Sequence, residues 1–93
     1  MKTYYITDVS TTNTPLGEGT KLCSLYVTNK TAASVNFTLM VDAAYFIKDV
    51  SVPPGVSLSL IQEGESCKIY HELRYIYISA GTADALDVVF TAE

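Results

Sequence analysis

The second half of the chain constrains the fold most, because it is a succession of short β-forming runs separated by turn residues. Residues 50–93 read VSVPPGVSLSLIQ, EGESCKIYHELRYIYIS and AGTADALDVVFTAE, with breaks at Pro-Pro-Gly, Glu-Gly-Glu and Ala-Gly-Thr-Ala-Asp. β-Branched and aromatic residues fill the runs, and Gly and Pro supply turn geometry between them. This pattern is typical of a small antiparallel β-sandwich.

The first half of the chain has the same organisation. Residues 34–41 form the cleanest alternating pattern: Val35, Phe37, Leu39 and Val41 alternate with Ser34, Asn36, Thr38 and Met40, which predicts one buried face and one mostly wet face. The alternation slips in residues 45–52, which predicts a β-bulge or a strand that changes sheets. The predicted strands cover residues 4–9, 21–29, 34–41, 45–52, 56–60, the region around 67–69, 73–79 and 86–90.

These spacings predict an all-β fold: a single antiparallel β-sandwich of about eight strands, Ig-like or jelly-roll, spanning residues 1–93 as one domain. Residues 10–20, STTNTPLGEGT, are rich in polar residues, Gly and Pro, and are expected to form a loop or a flexible arm.

Composition excludes several classes of function. The net charge is −4 and the six basic residues are scattered, so no basic patch for nucleic acid is expected. No apolar run is long enough to predict a membrane span. The segment MKTYYITDVS lacks the continuous apolar stretch of a signal peptide, which favours a cytosolic protein. In that setting the two cysteines, Cys23 and Cys67, are expected to be buried, reduced thiols.

No constellation for catalysis, metal or cofactor binding is predicted. The single histidine, His71, lies at a polar turn beside Glu72 and is best interpreted as a solvated loop residue. The acids near turns keep loops hydrated and do not form a calcium-binding motif; they are Glu63, Glu65, Glu72, Asp84 and Asp87. Two N-glycosylation patterns, at Asn29 and Asn36, are expected to be chance matches without a secretory signal.

The tyrosines are the candidate interface. Tyr26, Tyr70, Tyr75 and Tyr77 each lie opposite in alternation to an inward apolar row, which places them on outer sheet faces or near edges. Amphipathic rings suit a protein interface or a sugar platform. The alternative is cross-strand aromatic packing that stabilises each sheet.

Residues 25–93 resemble small β-sandwich virion proteins of tailed bacteriophages. The resemblance rests on LYVTNKTAASVNFTLMV, then YFIKDVSVPPGVSLSLIQ, then ADALDVVFTAE, which follow the family's order and spacing over about three quarters of the chain. Two departures are Pro54, where Ala usually precedes the glycine, and the segment KIYHELRYIYIS, which replaces a glycine-aspartate segment.

The resemblance implies a non-enzymatic structural role in a virion assembled in the host cytoplasm. It implies a capsid decoration or cement subunit that bridges major capsid proteins, with a homo-oligomer or symmetric array as the default assembly. One alternative is a head–tail connector or tail subunit. Another, from a different class, is a carbohydrate-binding adhesion module, which the surface tyrosines permit and the lack of Trp disfavours.

Overall fold

The computed structural model describes residues 2–62 and 69–93. The strands are β1 (Lys2–Ile6), β2 (Thr14–Pro15), β3 (Leu22–Asn29), β4 (Val35–Val41), β5 (Ala44–Val52), β6 (Ser57–Ile61), β7 (Ile76–Ala80) and β8 (Leu86–Ala92), and a short 3₁₀ turn, Leu73–Tyr75, precedes β7. The predicted all-β class is confirmed.

Two four-stranded antiparallel sheets form the sandwich. The first sheet has the strand order β1-β8-β3-β6 and the second has the order β2-β7-β4-β5. The neighbouring pairs are β1 with β8, β2 with β7, β3 with β6, and β4 with β5. These are the pairs that form when one long hairpin is wound around itself. This winding is the jelly-roll arrangement, which distinguishes the fold from the Ig-like alternative.

Alternating side chains from both sheets fill the space between them. Val35, Phe37 and Leu39 of β4 are buried, and the intervening Asn36 is exposed, as the alternation predicts. From the other sheet, β8 contributes Phe90, and Phe37 and Phe90 are the largest fully buried side chains. Burying one such ring stabilises the fold by roughly 1.5–3 kcal/mol, so the predicted inward rows are the main source of stability.

The broken alternation in β5 corresponds to two shifts in its pairing with β4, which confirms the predicted β-bulge. The pairing of β4 with β5 shifts register between Phe37 and Leu39 and again between Leu39 and Met40. At the first shift, Asp49 has a left-handed φ of 49°, and its backbone N–H donates to Thr38 Oγ1 at 3.1 Å. Asp tolerates this conformation better than most residues.

Residues 10–20 pack against the second sheet. They contain β2, and Leu16 is buried with its N–H donating to the Ile76 carbonyl at 2.9 Å. The Ser10 carbonyl likewise accepts the Ala80 N–H at 2.9 Å. The segment therefore closes the edge of this sheet beside β7.

Two predicted strands differ in the structure. The run at 73–79 begins as a 3₁₀ turn, because the Tyr75 N–H bonds to the Glu72 carbonyl at 3.0 Å, and the strand itself starts at Ile76. The strand predicted around 67–69 falls largely outside the described residues. Ile69 is described and forms an antiparallel bridge with Leu22.

Candidate interaction surfaces

The four tyrosines predicted as an interface lie on three different surfaces. Tyr26 is on the outer face of the first sheet, and Tyr77 is on the outer face of the second. Tyr70 and Tyr75 lie outside the strands, in the segment that leads into β7. Their exposed fractions are 40% for Tyr26, 63% for Tyr70 and 39% for Tyr75, whereas Tyr77 is half-buried. The fold therefore does not gather the four into one patch.

The outer face of the first sheet carries an aromatic row that crosses all four strands. In register, Tyr5 of β1 lies beside Val89 of β8, then Tyr26 of β3, then Ser59 of β6. Tyr5 is 72% exposed, more than any other large apolar side chain among the described residues. We call this set the Tyr5–Tyr26 row; Tyr5 is a candidate that the sequence interpretation missed.

Hydroxyl pairs border the Tyr5–Tyr26 row on both sides. Ser24 and Thr91 hydroxyls lie 2.6 Å apart on one side, and Thr28 and Ser57 hydroxyls lie 2.6 Å apart on the other. These hydroxyls bond to one another across strands, and Asp87, which lies in register with Thr28 and pairs with Lys30, is the charged residue that β8 places on this face. Low charge and exposed tyrosine are the composition of an interface core.

The outer face of the second sheet is arranged differently. Its row runs Pro15, Tyr77, Met40 and Tyr45 in register, so Tyr77 lies between Pro15 and Met40 and is half-buried. This surrounding favours the cross-strand packing interpretation for Tyr77. Tyr45 is 56% exposed, and the Lys48 ammonium lies 4.8 Å from its ring centroid.

His71 is the centre of a polar cluster at one end of the sandwich. Its Nε2 lies 2.7 Å from Asp42 Oδ2, and its Nδ1 lies 3.1 Å from the Glu72 carbonyl oxygen. Both partners are acceptors, so both ring nitrogens donate when the imidazole is protonated. The Glu72 carbonyl and the Asp42 carboxylate together raise the pKa of His71 above its usual value. With both nitrogens engaged, the ring ties two loops together and has no nitrogen available as a general base.

Tyr75 belongs to the same cluster. The Arg74 guanidinium lies 4.9 Å from its ring centroid, and the His71 ring meets it edge-on with centroids 6.3 Å apart. The Asp42 N–H donates to the Tyr75 carbonyl at 2.8 Å, so the β4–β5 turn is held against the start of β7. These contacts hold the Tyr75 ring against Arg74 and His71 within the same molecule.

A second charged cluster lies at the opposite end. The Lys30 ammonium bonds to Asp8 and lies 2.9 Å from Asp87 Oδ1, which also accepts the Asp8 N–H at 3.0 Å. Asp8 and then Asp87 raise the pKa of Lys30. Partial burial favours a higher pKa for Asp87, but the Lys30 and Asp8 hydrogen bonds outweigh it and lower that pKa. The cluster joins the ends of β1, β3 and β8.

Asn29 lies beneath that cluster and is 1% exposed. Its side-chain amide donates to the Ala33 carbonyl at 2.8 Å and the Val52 carbonyl at 2.9 Å. Its oxygen accepts the Thr31 N–H at 2.8 Å and the Thr31 hydroxyl at 2.7 Å. The amide that the glycosylation pattern would modify is therefore fully engaged in the fold.

The prediction of reduced cysteines is wrong for Cys23. Cys23 is 2% exposed, as expected of an inward residue, but it is disulfide-bonded. The only other cysteine in the sequence, Cys67, lies outside the described residues. Burial is compatible with both a thiol and a disulfide, and the sequence distinguishes the two only through the compartment that it implies.

The fold and surfaces together define a small jelly-roll sandwich with a tyrosine-bearing outer face of low charge. No protein-family model, curated protein or solved structure matches the chain. Within residues 2–62 and 69–93, no three His, Cys, Asp or Glu side chains are grouped to hold a metal ion. The described part of the chain also contains no helix long and apolar enough to cross a membrane.

Proposed function

We propose that this chain is a non-enzymatic structural subunit of a tailed-bacteriophage virion, most specifically a capsid decoration subunit that bridges major capsid proteins. The observation that carries the proposal is the Tyr5–Tyr26 row on an outer sheet face of low charge. The jelly-roll winding supports it, because viral capsid proteins use this architecture repeatedly. The sequence resemblance of residues 25–93 supports the same class.

The mechanism is adhesion by a preformed surface. Docking the first sheet on a capsid joint removes the Tyr5 and Tyr26 rings from water, and apolar burial of this kind is the main favourable term in association. The bordering hydroxyls remain paired within the sheet, so little polar desolvation opposes contact. A stable contact needs roughly 800 Å² from each partner, which is a large share of one face of a sandwich measuring 34 × 25 × 18 Å.

The test is co-sedimentation of the purified protein with expanded capsids assembled from the major capsid protein of the same genome. We expect saturable binding, weakened on the order of 10-fold by Tyr26→Ala. The matched control is Tyr45→Ala, which removes an exposed tyrosine from the outer face of the other sheet. Equal losses from both variants, or no binding by the wild type, would contradict the proposal. Binding to a portal ring instead would favour the connector or tail alternative.

A carbohydrate-binding module is a second candidate, favoured by one observation. Tyr5 and Tyr26 present exposed rings on the same flat face, and lectins also use jelly rolls. Glycan-array binding that is lost in Tyr26→Ala and kept in Tyr45→Ala would support this candidate over the capsid role.

A further inference from the structure

The four sheet edges differ in how they are protected against pairing with another chain. The first sheet ends at β1 and β6, and the second ends at β2 and β5. An edge strand presents unpaired N–H and C=O groups, so soluble proteins shorten, bulge, charge or cover their edges.

Three of the edges carry such a feature. β2 is two residues long and ends in Pro15, and Pro removes a backbone donor. β5 has two register shifts and carries Lys48. β6 shifts register against β3 at Leu60, which separates the paired Ser59 and Ile61. Bulges twist an edge away from a flat pairing geometry.

β1 carries no proline and no register shift, and its one lysine, Lys2, is its first residue. Its five residues pair with β8 in unbroken register, from Lys2 opposite Ala92 to Ile6 opposite Val88. The strand contains no proline, no residue with positive φ and one charge, at Lys2. Within residues 2–62 and 69–93, β8 is its sole strand partner. From Thr3 to Ile6, the outer side of β1 is therefore a regular edge without a charge, proline or bulge to protect it.

We propose that β1 pairs antiparallel with β1 of a second copy of this chain, across a two-fold axis through Tyr4. Centring the pair on Tyr4 uses all five residues of each strand, and any other register uses fewer. Thr3 then lies opposite Tyr5 of the other copy, and the single charge of the strand, at Lys2, faces the uncharged Ile6. The strand is thus complementary to itself, as a two-fold interface requires.

The exposure of Tyr5 supports the second copy as the occupant. Tyr5 is 72% exposed on an edge strand, and the two-fold axis places two Tyr5 rings diagonally across the new strand pair, within reach of each other. The two sheets merge into one of eight strands, and the Tyr5–Tyr26 rows of the two copies meet at the joint with an offset of two residues. The inference concerns self-association and does not depend on the virion role.

The test is the mass of the protein in solution by light scattering over a concentration series. We expect the wild type to approach twice 10.1 kDa as concentration rises. The double variant Thr3→Glu, Tyr5→Glu sets like charges opposite each other and should weaken the dimer on the order of 100-fold. The variant Thr3→Lys, Tyr5→Lys should do the same. An equimolar mixture of the two variants should form a heterodimer, because each opposed pair then has unlike charges.

The matched control is Ser57→Glu, Ser59→Glu. It adds the same two charges to exposed positions of β6, on the same face of the same sheet but at its other edge. This control should dimerise as the wild type does. A wild type that stays monomeric, a mixture that does not recover the dimer, or a control that loses it would overturn the proposal. Far-UV circular dichroism of each variant separates loss of pairing from loss of fold.

Discussion

The two ends of the sandwich are held together by different chemistry. At the end that contains Asn29, one buried amide makes four hydrogen bonds to Ala33, Val52 and Thr31. At the end that contains His71, the contacts are exposed or half-buried and involve titratable groups, with His71 bonded to Asp42 and the Glu72 carbonyl. The first end combines buried neutral hydrogen bonds with the Lys30–Asp87 ion pair, whose groups stay charged around neutral pH, and the second end depends on a histidine that titrates.

The difference shows which end gives the fold a stability that is independent of pH and which end makes its stability depend on pH. A buried, satisfied amide is strong because losing it leaves several groups without partners, whatever the pH. Exposed ion pairs contribute little individually, and their contribution changes with protonation. We therefore expect substitutions at the Asn29 end to lower stability at all pH values, and substitutions at the His71 end to change its pH dependence.

The largest expected effect is from Asn29→Ala. It leaves the Ala33 and Val52 carbonyls and the Thr31 N–H to find new partners, and unsatisfied buried groups cost about 1–3 kcal/mol each. With partial relaxation we expect the free energy of unfolding to fall by about 3 kcal/mol, measured by urea denaturation. The control is Asn36→Ala, an exposed asparagine of β4.

Asn36→Ala should change the free energy of unfolding by less than about 0.5 kcal/mol. A similar, small loss in both variants would show that the Asn29 network is replaceable by water. It would then remove the contrast between the two ends.

The strands could be predicted from sequence where the cause of the structure is local. The alternation of Val35, Phe37 and Leu39 reports which face of β4 is buried, and the broken alternation in β5 reports its bulges. The 3₁₀ turn at Leu73–Tyr75 was missed because Tyr75 and Tyr77 continue a period of two across it. Local alternation cannot show that the Tyr75 N–H bonds to Glu72.

The surfaces could be predicted only in part, because they depend on which strands become neighbours. Tyr26 was correctly placed facing outward from its strand parity. Tyr5 was missed because its exposure follows from the edge position of β1 and from the pairing of the first strand with the last. Asn29 matched a modification pattern, and only the contact with Val52, far along the chain, shows that its amide is internal.

A smaller effect is expected at Gly19, on the His71 side of the molecule. Gly19 has a φ of 141°, and a Cβ there would lie 3.1 Å from the Glu93 carbonyl oxygen. That oxygen also accepts the Thr20 N–H at 2.6 Å, so it cannot retreat without disturbing a hydrogen bond. Gly19→Ala should therefore lower the free energy of unfolding by about 2 kcal/mol through strain and contact together.

Gly17→Ala is the matched control for this position. Gly17 has a φ of 124°, but a Cβ there meets nothing within 4 Å, so it adds strain without contact. We expect Gly17→Ala to cost about half as much as Gly19→Ala. Equal thermal shifts in the two variants would show that backbone strain alone matters and that the Glu93 contact is unimportant.

The smallest effect, and the one that separates the two ends most sharply, is the pH dependence of stability. Folding raises the pKa of His71, so protonation favours the folded state. Its stabilising contribution is fully present below the unfolded pKa of about 6.5 and is lost as pH rises through the higher folded value. The Asn29 end should be insensitive to pH in this range, because Lys30 has a raised pKa and Asp87 a lowered one, and both stay charged.

Urea denaturation at a series of pH values should show stability declining above about pH 6.5 in the wild type and not in His71→Gln. Lys30→Met should keep the decline while lowering the whole curve. A decline that persists in His71→Gln would show that a group other than His71 titrates, and that the charge of His71 does not stabilise its end of the sandwich.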